Sequence, residues 1–98
     1  MAGVEVRGSV VRPVRLTVTT TGAKHICPSI LREAEFRATT NNVRVYFEQV
    51  EFDAGSDQYL LIVAGEAPRL LRIETPHMWF QSEGANATLE LLQFCRRG

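Results

Sequence analysis

Apolar and polar residues alternate along much of this chain, and that alternation restricts its fold more than any other feature. It is clearest at residues 14–18, 43–47 and 71–73. Successive side chains of a β-strand point to opposite faces, so a period of two indicates half-buried strands. Residues 59–64 are apolar at every position, which is typical of a central strand. The pattern therefore predicts an all-β protein.

Turn signals separate the alternating stretches at intervals of about 8–14 residues, a spacing typical of a β-sandwich. We expect a single antiparallel β-sandwich, jelly-roll or Ig-like, of about eight short strands with an N-terminal arm. The predicted strands are residues 4–11, 14–20, 32–38, 43–49, 59–64, 69–74, 78–82 and 87–94.

One segment, residues 29–37, is compatible with two structures. Ser29 could cap a short helix. A strand would instead place four apolar side chains inward, namely Ile30, Ala34, Phe36 and Ala38. Arg32 would be the exception to this pattern. We favour the strand, because a helix this short is marginally stable.

Residues 1–13 differ from the predicted sandwich body, residues 14–98. Gly8 interrupts their alternation and Pro13 ends it, so this segment is predicted to be an N-terminal arm or an edge strand. Its valines are too apolar for a solvated tail and should be buried, either against a neighbouring subunit or the capsid or as an ordinary strand of the chain's own sandwich. The candidate partner-contact residues are Val4, Val6, Val10, Val11, Arg12, Tyr46 and Trp79.

The aromatic candidates come from a separate argument. Trp79 and Phe80 are adjacent, so they point to opposite sides of any strand, and Tyr46 and Phe47 pose the same question. One member of each pair must leave the main core. Packing under a loop and burial in a subunit interface both remain open for it.

Length and charge exclude several classes of protein. The 98 residues form one domain, and 11 basic residues cancel 11 acidic ones. This balance argues against binding nucleic acid or membranes through bulk positive charge. No apolar run is long enough to span a membrane. The first residues show no secretory signal, so we expect Cys27 and Cys95 to be free thiols.

Motifs for catalysis or cofactor binding are missing from the sequence. We find no nucleophile elbow, no metalloprotease helix and no glycine-rich phosphate loop. Four residues have metal-ligand chemistry but lack the local spacing of a zinc site: His25, Cys27, His77 and Cys95. The acidic residues 51–57 are interpreted as a solvated hairpin loop rather than a Ca²⁺ site. We therefore predict no enzyme activity, no cofactor and no metal.

The order of the segments resembles small β-sandwich virion proteins of tailed bacteriophages. The resemblance covers residues 14–94 and passes from a Thr-Thr-Gly turn to a Pro-Ser turn, two alternating strands, a Gly-Glu turn and a final apolar strand. The segments that carry it are 16–22, 27–30, 35–38, 41–46, 60–64, 65–68, 78–80 and 87–91.

The resemblance implies a structural component of a phage particle. The expected function is that of a capsid decoration or cement protein, which stabilises the shell by binding only its assembled form. The expected partners are the major capsid protein or other virion proteins, and the chain itself as a homo-oligomer, with a trimer favoured. Nucleic acid and membranes are not expected partners, and the expected location is the virion, assembled in the host cytoplasm.

An alternative is a receptor- or carbohydrate-binding module of a tail fibre or head fibre. A sugar site needs an exposed aromatic ring beside polar side chains. Trp79 with Gln81, or Tyr59 with Asp57, has the residue types for it.

Overall fold

The structure, a computed structural model, describes residues 4–6, 9–28 and 31–96. Strands dominate this part of the chain, and a single short helix interrupts them. The elements are β1 (Val4–Val6), β2 (Ser9–Val18), β3 (Ala23–Ile26), β4 (Leu31–Thr39), β5 (Val43–Tyr46), α1 (Gln49–Ala54), β6 (Leu60–Ile62), β7 (Arg69–Arg72), β8 (His77–Ser82) and β9 (Ala87–Arg96).

The strands form two antiparallel sheets. One has five strands in the order β1-β2-β9-β4-β7, and the other has four in the order β3-β8-β5-β6. From β2 to β9 the chain is doubled on itself, because β2 pairs with β9, β3 with β8, β4 with β7 and β5 with β6. The prediction of an all-β fold built on antiparallel sheets is confirmed.

One hydrophobic core contains side chains from both sheets. On β9 the inward residues alternate strictly with outward ones, and Leu89 and Leu91 are fully buried. Phe36 of β4 meets Phe80 of β8 edge to face, with ring centroids 6.4 Å apart. Alternation along β9 and β4 thus produces the inner layer that the sequence predicts.

Residues 29–37 follow the strand interpretation as far as they are described. β4 begins at Leu31, and Ala34, Phe36 and Ala38 are buried, as predicted. Ser29 and Ile30 lie outside the described residues. Arg32 is accommodated because the pairing of β4 with β9 shifts register between Leu31 and Glu33, and such a bulge turns the extra side chain outward.

The predicted strand boundaries near the N-terminus are wrong. β2 runs without interruption from Ser9 to Val18 and includes Pro13. Beyond Val11, β2 has β9 on one side and no paired residue of β1 on the other. Proline is tolerated there because an edge strand needs no backbone donor on its free side.

Three further elements differ from the prediction. The predicted central strand, residues 59–64, is reduced to β6, which lies at the edge of the four-stranded sheet. β3 was not expected, because its four residues are mostly exposed and give no alternating signal. The predicted strand 43–49 ends at Tyr46 and is followed by α1, which replaces part of the expected hairpin loop. A helix of six residues is too short to have a clear 3.6-residue period in the sequence.

Candidate protein-contact face

The two sheets present very different outer sides. We call the outer side of the four-stranded sheet the covered face, because α1 and the loop after it lie across it. Tyr46 and Trp79 point to this side and are 0% and 7% exposed. Phe52 stacks on Trp79 at 6.4 Å and meets Tyr46 edge to face at 5.7 Å. The covered face is therefore a second apolar layer, and Trp79 and Phe80 do lie in separate layers.

Polar contacts fasten this layer to the sheet. The Tyr46 hydroxyl donates a hydrogen bond to the backbone carbonyl of Ser56 at 2.9 Å. The guanidinium of Arg44 lies over the ring of Tyr59, 4.7 Å from its centroid, and its Nε is 2.8 Å from a carboxylate oxygen of Glu83. The hydrogen bond from Arg44 lowers the pKa of Glu83.

Gly22 shows how closely the layer is packed. Its φ of 83° lies in the left-handed region. A Cβ built on it would lie 2.7 Å from a ring carbon of Phe52 and 2.9 Å from the carbonyl oxygen of Phe80. Glycine is therefore required at this position both for its backbone conformation and for the approach of the Phe52 ring.

Within the described residues no such layer lies over the outer side of the five-stranded sheet, and we call this side the open face. Residues that are partners in the ladders form rows across β2, β9 and β4. The first row is Thr17, Thr88 and Thr39; the second is Arg15, Glu90 and Arg37; the third is Pro13, Leu92 and Glu35; and the fourth is Val11, Phe94 and Glu33. β7 extends the third row with Leu70 and the fourth with Arg72.

Charge is distributed unevenly over these rows. Glu90 is shared by two arginines, with Arg15 at 2.5 Å and Arg37 at 3.6 Å, and the hydrogen bond from Arg15 lowers its pKa. The second row thus has a surplus positive charge. In the third row, Glu35 stands between Leu92 and Leu70 in the ladders, and no ion pair to it is found within the described chain.

The open face is also hollowed. A shallow depression of about 440 Å³ lies over its second and third rows, and Pro68 of the loop before β7 forms part of its rim. Leu92 and Phe94 are half-buried and Leu70 is 55% exposed. An apolar centre bordered by charged side chains is typical of a surface that contacts another protein.

The predicted contact residues are distributed over both sides of the molecule. Val11 lies on the open face beside Phe94, and only 8% of it is exposed. Val10 and Arg12 are on the opposite side of β2, half-buried and exposed respectively. Val4 and Val6 are in edge strand β1, and their side chains are outside the described part. Tyr46 and Trp79 belong to the covered face.

Sequence reasoning missed the centre of the open face. Leu92 and Phe94 were assigned only to a final apolar strand, and Pro13 only to the end of one. The available signal was that residues 91–95 are apolar on both sides of the strand, apart from Gln93. A strand at the middle of one sheet with two apolar sides needs cover on both.

The residues with metal-ligand chemistry do not converge. His25 shares a hydrogen bond of 2.8 Å with Gln93, which is itself buried and donates to the carbonyl of Arg12. Cys27 and Cys95 are buried free thiols; burial raises the pKa of Cys27 to about 11, and Cys95 adds to the rise. Within the described ranges, no three His, Cys, Asp or Glu side chains gather as metal ligands.

Comparisons with known proteins leave the chain without an assigned family. No protein-family model, curated protein or solved structure matches it. Among residues 4–6, 9–28 and 31–96, no helix is long and apolar enough to cross a membrane.

Proposed function

We propose that this protein is a non-enzymatic structural component of a bacteriophage particle, a capsid decoration or cement protein that works by protein contact through its open face. The observation that carries the proposal is the apolar centre of that face, Leu92 and Phe94, which none of the elements in residues 4–6, 9–28 and 31–96 covers. On the other sheet the same chain covers its aromatic residues with α1.

The fold we assign to it is a jelly-roll sandwich. The pairing of β2 with β9, β3 with β8, β4 with β7 and β5 with β6 supports this assignment, because a jelly roll is a doubled chain wrapped into two facing sheets. In this assignment β1 is an addition at the edge. Viral capsid domains are among the proteins that use the jelly roll, which agrees with the virion role by analogy of fold alone.

The way in which such a face acts supports the role of a cement protein. A protein that binds the assembled shell and not its separate subunits stabilises the shell by mass action. Apolar side chains provide the burial, and the arginines beside them restrict how the partner can dock.

A carbohydrate-binding role receives less support. Trp79 lies under Phe52, and the ring of Tyr59 lies against Tyr46 and under Arg44. The two aromatic rings that could have stacked on a sugar are thus already occupied within the chain.

The experiment locates the chain on particles. Phage particles from a strain that encodes it are purified on a density gradient and labelled with an antibody to the full chain for electron microscopy. We expect regular labelling of the shell. A chain found only in fractions without particles would contradict the proposal.

A matched pair of variants tests the face itself. Leu92→Glu places a charge at the centre of the open face, and Val50→Glu places one on α1, where Val50 is 68% exposed. We expect Leu92→Glu particles to lose most copies of the chain and Val50→Glu particles to retain them. If particles of the two variants carried equal numbers of copies of the chain, the open face would not be the surface through which it acts.

A further inference from the structure

The outward charges of β4 change sign along the strand. Glu33 and Glu35 are followed by Arg37, all on the open face. Arg72 of β7 lies opposite Glu33 in the ladder, whereas Glu35 has Leu70 and Leu92 as its neighbours. Arg37 in turn shares the single carboxylate of Glu90 with Arg15. One row of the face therefore has an excess of positive charge, and the next row has a half-buried carboxylate with no ion pair among the described residues.

These two charges are complementary to a reversed copy of themselves. Consider a second copy related to the first by a two-fold axis that lies in the plane of the face, perpendicular to the strands, between the second and third rows. Each strand of one copy then lies over the same strand of the other, and the second row of one copy lies over the third row of the other. Arg37 of each copy then faces Glu35 of the other, and both charge excesses are neutralised at once. A rotation about an axis along the strands would instead place Arg15 over Arg37, which repel each other.

The apolar residues fit the same arrangement. On β9 the rotation places Leu92 of each copy over Glu90 of the other, and the two Leu92 side chains lie on either side of the axis. Pro13 lies under the aliphatic part of the other copy's Arg15, a contact that long basic side chains make readily. Two-fold contacts between identical patches are the commonest way in which soluble proteins associate.

The dimensions are also adequate. The molecule measures 37 × 28 × 21 Å. Two packed sheets are thinnest across their layers, so the open face spans the two larger dimensions. Such a face can provide on the order of the 800 Å² per partner that a stable interface buries.

We propose that the occupant of the open face is a second copy of this chain, bound through a two-fold contact in which Arg37 of each copy pairs with Glu35 of the other. The inference rests on the proposed function in assigning this face to protein contact, and it names the partner. The particle would then be bound by a dimer whose formation requires the open face, so that damage to this face also weakens attachment to the particle.

The test is sedimentation of the full chain over a range of concentrations. We expect a monomer–dimer equilibrium, with dimer predominating at high concentration. Leu92→Glu should weaken association at least tenfold, and Val50→Glu should leave it unchanged. Circular dichroism and thermal melting of each variant establish that it is folded.

Charge exchange provides the decisive comparison. Glu35→Arg and Arg37→Glu each place like charges opposite one another and should each weaken the dimer several-fold. The double variant restores an opposite-sign pair in reversed order and should recover most of the affinity. Failure of the double variant to recover, or a trimer in place of a dimer, would overturn the two-fold contact.

The particle experiment separates this inference from the proposed function. A chain that is monomeric at all concentrations yet labels particles contradicts the dimer and leaves the decoration role standing. A chain that forms the dimer but never occurs on particles supports the two-fold contact and contradicts the decoration role.

Discussion

The covered face and the open face both carry large apolar side chains, but only the covered face has them buried by other parts of the described chain. Each is the outer side of an antiparallel sheet with large apolar side chains, Tyr46 and Trp79 on one and Leu92 and Phe94 on the other. The first pair is buried by Phe52 of α1 and by Tyr59. The second pair has no cover within the described chain. Substitutions on the covered face should therefore affect folding, whereas those on the open face should affect association.

The largest effect is expected from truncating the two faces in parallel. Trp79→Ala removes a nearly buried ring that supports Phe52 and should lower the free energy of unfolding by about 3–5 kcal/mol. Leu92→Ala should cost about 1 kcal/mol in the dilute chain, because its side chain is only half-buried. Urea denaturation of both variants at low concentration measures the difference, and equal losses would remove the distinction between the faces.

The margin of the open face allows a second test. Deletion of residues 1–11 removes β1 and the Val11 side chain beside Phe94, but leaves residues 12–18 of β2 paired with β9. We expect a folded protein that is less stable by about 2 kcal/mol, roughly the value of one buried valine, and weaker attachment to particles. Thermal melting and particle binding measure the two effects. A chain that unfolds on truncation would make this segment part of the body rather than an arm.

Gly22 tests how tightly the covered face is packed. Gly22→Ala incurs both left-handed strain and a collision with the Phe52 ring, whereas Gly84→Ala, with φ of 82° and nothing within 4 Å, incurs the strain alone. We expect Gly22→Ala to cost about 2 kcal/mol more in unfolding free energy than Gly84→Ala. Adding Phe52→Ala to both variants should remove the part of that excess that comes from the ring, whereas the part that comes from the Phe80 carbonyl oxygen, 2.9 Å from the added Cβ, should remain. An excess that does not change when the ring is removed would show that Phe52 does not contribute to it.

The ion pairs of the two faces provide the smallest effect. Arg44→Ala should cost about 1 kcal/mol, because it loses Glu83 and the contact with Tyr59. Arg15→Ala should hardly change stability, since its side chain is 73% exposed. Because Arg44 lowers the pKa of Glu83, this pair stabilises the fold above the carboxyl's usual pKa of 4.5 and loses that contribution as the pH falls below it.

Measurement of unfolding midpoints between pH 3 and 7 checks the pH dependence of this pair. The wild type should lose more stability than Arg44→Ala as the pH falls through this range. Parallel curves for the two proteins would show that Glu83 does not carry the pH dependence.

The sequence predicted the inner layer well, because burial on one side of a strand leaves a period of two. The inward positions of Ala34, Phe36 and Ala38 were correct, and so was the separation of Trp79 from Phe80. β3 and α1 were missed because both are short and mostly exposed, so no periodic burial marks them. Pro13 was misread because a single strand does not show which of its edges is unpaired.

The open face could not be located from the sequence for a related reason. Its rows combine residues from β2, β4, β7 and β9, and only the pairing of these strands brings them together. Arg15, Arg37 and Glu90 are far apart in the chain, and nothing in the sequence distinguishes any one of them from other charged residues. Tyr46 and Trp79 were selected as contact residues because a single core between two sheets has no place for them. A sequence pattern does not reveal that α1 forms a second apolar layer over them.

Hydroxyl-radical footprinting of the full chain at increasing concentration tests the difference between the faces most directly. We predict that Tyr46 and Trp79 remain weakly modified throughout, because they are buried within each chain. Leu92 and Phe94 should be modified in dilute solution and protected as the chain associates, while Val50 stays reactive. Modification of Leu92 and Phe94 that does not change with concentration, or strong modification of Trp79 in the dilute folded chain, would contradict the account.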